Sequence, residues 1–222
     1  CALPISARNG ADVQQLPGIP GSTLDASVYT DPVRFELERE RVLNRSWLVA
    51  ARSSELPEPF DFVRFESHGE TIVITRQPDG SCAAFHNVCT HRGPRIVGAD
   101  CGSGARRFTC PYHGWVFDST GKLVGVPERE DFSEEHLRDV RAPKVAATEW
   151  GGWVWINLLG DDAPSFEDST GAEIMDDLGA FRMDEMVLYE VVEWDVPVSY
   201  KAIVDGFNEI YHVTELHHSP PE

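Results

Sequence analysis

Two short stretches, CTHRG at residues 89–93 and CPYHGW at residues 110–115, decide how this sequence folds and what it can bind. Each stretch brings one cysteine and one histidine, and the four side chains are Cys89, His91, Cys110 and His113. Each stretch also follows a segment with strand character, so a tight loop can direct its two side chains towards one point. Two thiolates and two imidazoles suit either a tetrahedral zinc ion or a [2Fe–2S] cluster with both histidines on one iron.

The mixed composition of the two loops favours the cluster over zinc. Zinc fingers of this composition usually keep their cysteines together and their histidines together, and the metal organises a very small domain. Here each loop carries one residue of each type, and the surrounding strands are numerous enough to form a core of their own. In the cluster, one iron can take both sulfurs and the other both nitrogens. Gly93 and Gly114 shape the two loops, and Trp115 is placed to cover the cluster.

Around the loops, residues 47–160 alternate short apolar segments with frequent turn signals. The pattern predicts strands at residues 71–75, 83–88, 108–110, 115–118, 123–126 and 151–158. Short strands separated by turns of this kind are typical of a sandwich or barrel. We therefore expect an all-β domain over residues 47–160.

The segment before this domain has a different character. Residues 1–22 are rich in Pro and Gly and are interpreted as an arm, in which CALPIS at residues 1–6 does not look native. Asp31 is a suitable N-cap for Pro32 at the first helical position, which predicts a helix to about Arg45. Residues 23–46 are therefore assigned to an N-terminal helical segment.

The segment after the β domain, residues 161–222, is interpreted as a linker and the beginning of a second domain. Residues 161–185 contain nine acidic residues and one basic residue, which indicates a linker with a short helix. Residues 186–196 alternate as a strand does, and Ser199 can cap a helix that runs to about His212.

The end of that helix, DGFNEIYHVTELHH at residues 205–218, concentrates acids and histidines. On a regular helix Asp205, Glu209 and His212 lie at positions i, i+4 and i+7 and share one face. The opposite face carries an apolar stripe that is expected to be buried, made of Ile203, Phe207, Ile210 and Tyr211. His217 can join His212 at one metal only if the helix ends or bends between them.

The two loop stretches resemble the Rieske family, because CTHRGPRI and CPYHGWVFDSTGKL are similar to its two signatures. The resemblance implies that Cys89 and Cys110 bind one iron of a [2Fe–2S] cluster and that His91 and His113 bind the other. Histidine ligands in place of two thiolates make such a cluster easier to reduce.

The stretch at residues 205–218 resembles the mononuclear iron motif of Rieske non-haem iron oxygenases. The resemblance implies that His212 and His217 bind an Fe(II) ion, with His218 as the alternative to His217. Glu209 matches the acid that links the two metal centres, and Asp205 falls where the motif has a further acid or amide. The carboxylate that completes the iron site would come from further along the chain, which is expected to be truncated and inactive by itself.

The resemblance covers nearly the whole sequence and implies an α+β chain from the α subunit of an oxygenase. An NAD(P)H-dependent reductase or ferredoxin would reduce the cluster, and the second iron would activate O₂ to hydroxylate or demethylate a small organic substrate. The subunit would form an α3 or α3β3 assembly in which Glu209 joins His113 of one subunit to His212 of the next. Glu at position 209, within NEIYH, resembles members that act on quaternary amines or on smaller substituted acids.

Charge and composition exclude several other classes of protein. With 37 acidic residues against 19 basic ones, the net charge is −18, which argues against nucleic acid or an anionic membrane as a partner. No apolar stretch is long enough to span a membrane, and CALPIS lacks the basic and apolar regions of a signal peptide, so a cytoplasmic location is expected. A Rieske-type ferredoxin is the alternative function, but such a protein would end near residue 160. A binding module with structural zinc is a second alternative, and it would be colourless.

Overall fold

The computed structural model describes residues 25–67, 69–210 and 212–213. The chain divides into two compact units, one made of Leu37–Val191 and the other of the segments up to Glu36 and from Val192 onwards. The predicted arm at residues 1–22 lies outside the described residues. No helix in the described ranges is long and apolar enough to cross a membrane.

The larger unit is built on antiparallel strands. The strands are β1 Leu48–Arg52, β2 Phe62–Ser67, β3 Glu70–Arg76, β4 Cys82–His86, β5 Cys101–Gly102, β6 Arg107–Thr109, β7 Val116–Asp118, β8 Leu123–Gly125, β9 Lys144–Trp150 and β10 Trp153–Asn157. Seven of them form one sheet in the order β1-β10-β9-β4-β3-β2-β5, and the other three form the sheet β6-β7-β8. The prediction of an all-β domain is therefore confirmed.

Strand β3 lies between two hydrophobic cores. Ile72 and Ile74 belong to one core, and Val73, whose side chain points to the opposite face, belongs to the other. All three are fully buried, which explains the nearly continuous apolar run of this strand. The second core also contains Cys89 and Cys110, so the sheet places the two loops of interest over well-packed side chains.

The helices are short. They are α1 Ser27–Thr30, α2 Pro32–Arg41, α3 Glu134–Leu137, α4 Phe166–Thr170, α5 Ala172–Gly179 and α6 Tyr200–Phe207. The predicted N-cap of α2 is confirmed, since the Asp31 carboxylate accepts the backbone N–H of Val33 at 2.8 Å. The helix ends four residues before the predicted end at Arg45, because Leu43–Arg45 forms a 3-10 turn.

The acidic linker contains two helices rather than one, and its beginning is packed against the sheet. Phe166 is only 4% exposed, and its ring lies 5.7 Å from that of Trp47 and 5.0 Å from that of Trp155. An aromatic anchor of this kind is not visible in the charge pattern, which indicated only a linker with a short helix.

Two predicted strands need correction. The strand expected at residues 151–158 begins at Trp153, because Gly151 and Gly152 form the two-residue turn between β9 and β10. The strand expected at residues 186–196 is wrong, since this segment has no regular structure. Its backbone has no neighbouring strand within the described ranges, and its apolar side chains are largely exposed. Alternation alone does not form a strand without a partner.

The prediction of one helix from Ser199 to His212 is also wrong. Helix α6 ends at Phe207, and Asn208 is its C-cap. Gly206 and Asn208 are poor helix formers, and the carboxylate of Glu209 accepts the backbone N–H of His212. That contact takes up a donor that a continuing helix would use itself. Ser199 lies at the N-cap, but its side chain makes no capping hydrogen bond.

Candidate metal centre

The two loops that hold the predicted cysteine and histidine ligands are closed in the same way. In the first loop the N–H of Cys89 donates to the carbonyl of Pro94 at 2.8 Å, and the N–H of Gly93 donates to the carbonyl of Cys89 at 2.7 Å. In the second loop Cys110 and Trp115 make the first of these bonds at 2.8 Å, and Gly114 and Cys110 make the second at 3.0 Å. Two loops of equal length therefore present their cysteines from the same position.

Both predicted thiol ligands are buried, so water has little access to them. Cys89 is 1% exposed and Cys110 is 2% exposed. Burial raises the pKa of the Cys89 thiol, although backbone N–H groups of His91 and Arg92 oppose this shift, and the adjacent Cys110 raises the pKa further. Neighbouring thiols in an apolar core are costly to ionise together, and a bound cation would remove that cost.

The two predicted imidazole ligands are in contact with each other and with neighbouring aromatic rings. The ring centres of His91 and His113 are 4.7 Å apart, and the ring of Trp115 is stacked on His91 at 4.7 Å. Tyr112, which the sequence did not single out, lies against His113 with ring centres 3.8 Å apart. The expectation that Trp115 covers this site agrees with its contact with His91.

One ring nitrogen provides a test of whether a metal group fits this site. Nδ1 of His91 is buried and has no hydrogen-bond partner among the residues that the structure describes. Burial lowers the pKa of His91, and the nearby His113 and Arg92 lower it further. A neutral imidazole with an unpaired inward nitrogen is the form that binds a metal.

The donors are grouped as a thiol pair and an imidazole pair. The thiols of Cys89 and Cys110 are adjacent, and the ring centres of His91 and His113 are 4.7 Å apart. A [2Fe–2S] cluster needs only two protein ligands on each iron, which is what a thiol pair and an imidazole pair can supply.

The predicted residues of the second site are described only in part. The carboxylate of Glu209 is paired with Nδ1 of His212, and the same carboxylate accepts the backbone N–H of His212 at 3.2 Å. Asp205 instead accepts a hydrogen bond from the hydroxyl of Tyr29 at 2.6 Å, which raises the pKa of that tyrosine. No sequence signal pointed to Tyr29, since it lies 176 residues away.

His217 and its alternative His218 lie outside the described residues. The apolar stripe expected to be buried is exposed where the structure describes it, with Ile203 at 42%, Phe207 at 87% and Ile210 at 83%. Tyr211, the fourth member of the stripe, is not described.

Comparison with known proteins identifies the domain that carries the four predicted ligands. The family model for the Rieske [2Fe-2S] domain matches residues 46–143, which include both loops. The chain contains a Rieske domain and is homologous to the α subunits of Rieske oxygenases.

The similarity to individual relatives extends well beyond residues 46–143. The oxygenase subunit of carnitine monooxygenase from Escherichia coli K12 is 34% identical over 88% of this chain and 52% of its own length. The α subunit of benzene 1,2-dioxygenase from Pseudomonas putida F1 is 31% identical over 95% of this chain and 47% of its own length. The chain thus spans about half the length of the curated relatives it matches.

Solved Rieske oxygenase structures share the fold. The apo form of the quaternary ammonium Rieske monooxygenase CntA superimposes with a TM-score of 0.80 at 30% identity, over 88% of this chain and 57% of that one. Naphthalene 1,2-dioxygenase from a Rhodococcus species gives a TM-score of 0.57 at 32% identity, over 64% and 32% of the two chains.

Proposed function

We propose that this chain is the cluster-bearing part of the α subunit of a Rieske-type oxygenase, which receives electrons and delivers them to a second iron. The observation that carries the proposal is the pair of equivalent loops, each closed by the same two hydrogen bonds, over two buried thiols. The extent of homology favours this function over a Rieske-type ferredoxin, because relatives match 88% or more of the chain and not only residues 46–143.

Cys89 and Cys110 would hold one iron of the [2Fe–2S] cluster, and His91 and His113 would hold the other. When bound, the cluster supplies a one-electron store that is reduced more easily than an all-cysteine cluster. The protein surrounds the thiols with apolar side chains and keeps His91 neutral by burial and by nearby positive charge. The stacked Trp115 ring fixes the plane of the His91 imidazole.

The second iron would be held by His212 and by His217 or His218, with Glu209 as the acid that links the two metal centres. The direct pairing of the Glu209 carboxylate with Nδ1 of His212 supports this role, since it fixes the orientation of the ring. An NAD(P)H-dependent reductase or a ferredoxin would be the electron donor. Electron transfer between the subunits of a trimer is proposed by analogy with a similar solved structure, a quaternary ammonium Rieske monooxygenase that gives insights into inter-subunit electron transfer.

The proposed substrate class is a quaternary ammonium compound, which the complete protein would hydroxylate or demethylate with O₂. Structural similarity supports this choice, because CntA matches 88% of the chain with a TM-score of 0.80 whereas naphthalene 1,2-dioxygenase matches 64% with 0.57. The Glu at position 209 points in the same direction. Aromatic hydrocarbons are the competing class, given the 31% identity to benzene 1,2-dioxygenase.

The experiment for the cluster is to purify the protein under anaerobic conditions and to measure iron, acid-labile sulfide, visible absorption and the EPR spectrum after reduction with dithionite. We expect red-brown protein with a rhombic signal, both lost in Cys110→Ser. Cys101→Ser is the matched control, because Cys101 is exposed and lies in strand β5, outside the two loops, and it should leave the signal unchanged. Colourless protein that contains zinc would contradict the proposal.

A further inference from the structure

The two equivalent loops differ in how the chain on either side of them is joined. Beyond the second loop, strands β6 and β7 form a ladder in which Phe108, two residues before Cys110, pairs with Phe117, seven residues after it. The same offsets from Cys89 give Asn87 and Ile96. These two residues belong to no strand ladder with each other.

The backbone N–H of Asn87 is not available for such a ladder, because it already bonds to strand β3. Its N–H donates to the carbonyl of Thr71 at 2.7 Å, which extends the pairing of β4 with β3. The segments on either side of the first loop therefore lack the ladder that joins the strands on either side of the second loop.

The side chain of Asn87 supplies the missing bonds. Its Oδ1 accepts the backbone N–H of Ile96 at 2.9 Å and that of Val97 at 2.8 Å. Its Nδ2 donates to the carbonyl of Val97 at 2.7 Å. A carboxamide has the same donor and acceptor as a peptide group, so one side chain can replace a pair of ladder bonds.

We propose that Asn87 is a positioning residue for the metal centre, whose carboxamide joins the two segments that flank the first loop, in place of a β-ladder, and so sets where Cys89 and His91 lie. Asn87 is 3% exposed, so its hydrogen bonds are shielded from competing water. Ile96 and Val97, which it holds, pack in the same core as Cys89 and Cys110. This role rests on the proposed function, because it concerns residues that would bind the cluster.

The test compares Asn87→Leu with a control at a second buried asparagine. Asn157 is fully buried and does similar work elsewhere, since its Nδ2 donates to the carbonyl of Arg45 at 3.0 Å and its Oδ1 accepts the N–H of Leu159 at 3.0 Å. Both Leu variants lose buried hydrogen bonds and should lower the melting temperature. Only Asn87→Leu should shift the EPR g-values and the midpoint potential, and it should lose iron to a chelator about tenfold faster than Asn157→Leu.

Hydrogen exchange supplies a readout that does not depend on the cluster. The amides of Ile96 and Val97 should exchange slowly in the wild-type protein and much faster in Asn87→Leu. Asn87→Asp keeps the acceptor oxygen but has no amide donor for Val97, so its exchange rates should fall between the two. This variant and the wild-type exchange rates decide the matter if Asn87→Leu does not fold.

The outcomes separate the two proposals. Wild-type protein without the rhombic signal overturns the proposed function and this role together. Wild-type protein with the signal, combined with Asn87 variants that keep its g-values, potential and iron retention, overturns the role of Asn87 alone. Fast exchange at Ile96 and Val97 in the wild-type protein, or equal effects of Asn157→Leu on the spectrum, also overturns it.

Discussion

Replacing the glycine of each metal-site loop by alanine should cost different amounts of stability. Gly93 and Gly114 occupy equivalent positions, and both have positive φ, at 81° and 70°. A Cβ added at Gly93 meets no atom within 4 Å, whereas one added at Gly114 lies 3.1 Å from Cγ of Pro127. Both substitutions would therefore place alanine at a positive φ, but only Gly114→Ala would bring a Cβ against Pro127.

The magnitudes follow from these two observations. A non-glycine residue in the left-handed region costs about 1–2 kcal/mol, which applies to both variants. Crowding a well-packed site adds about 1–3 kcal/mol, which applies only to Gly114→Ala. We expect Gly93→Ala to lower the free energy of unfolding by about 1–2 kcal/mol and Gly114→Ala by roughly 2–5 kcal/mol.

The assay is urea unfolding followed by tryptophan fluorescence, with all variants in the same metal-loaded state. Gly98→Ala is the control, because Gly98 lies near the first loop, has no positive φ and has free space around its Cα. It should be neutral or stabilise the protein by about 0.4–1 kcal/mol. In a Pro127→Ala background, the cost of Gly114→Ala should fall to that of Gly93→Ala. Equal costs for the two loop variants, or no change in the Pro127→Ala background, would refute the reasoning.

Three further predictions concern other parts of the chain. Burial raises the pKa of Cys82 to about 11, so at pH 8 iodoacetamide should alkylate the exposed Cys101 well before Cys82, as followed by peptide mass spectrometry; equal rates would contradict the assigned environment. Phe166→Ala removes a ring packed among tryptophans and should cost about 3–5 kcal/mol in urea unfolding, whereas Phe181→Ala, at a site 65% exposed, should cost little. In the complete protein, Glu209→Gln should keep both metals, as measured by iron content, but strongly slow product formation; unchanged turnover would rule out the linking role.

The sequence was sufficient to predict the β domain and the loops that form the candidate site. The reason is local: a cysteine, a histidine and a glycine within five or six residues specify a loop and its donors without reference to the rest of the fold. The same holds for the Asp31 cap, which depends on a contact two residues away. The two loops and the helix cap are each determined by residues that lie close together in the sequence.

The features that the sequence did not reveal depend on partners far along the chain. Strand β9 contains Ala and Glu, which are poor strand formers, and it is stabilised by its pairing with β10 and β4. The predicted strand at residues 186–196 has the better pattern but no partner in the described ranges. Strand pairing therefore outweighs local propensity in both cases. Strand β9 forms despite its unfavourable composition, and residues 186–196 do not form a strand despite their favourable pattern.

Asn87 shows why a residue close to a recognisable motif can still escape notice. Its type is unremarkable before a cysteine, and nothing in its neighbours reveals that its backbone is committed to Thr71. Only that commitment leaves Ile96 and Val97 without a ladder partner and makes the carboxamide necessary. The second loop needs no such residue, since its flanking strands lie in a hairpin of their own. The two loops are closed by equivalent hydrogen bonds, but the segments beside them are joined by different ones. The first loop should therefore be sensitive to substitution of one side chain, and the second should not.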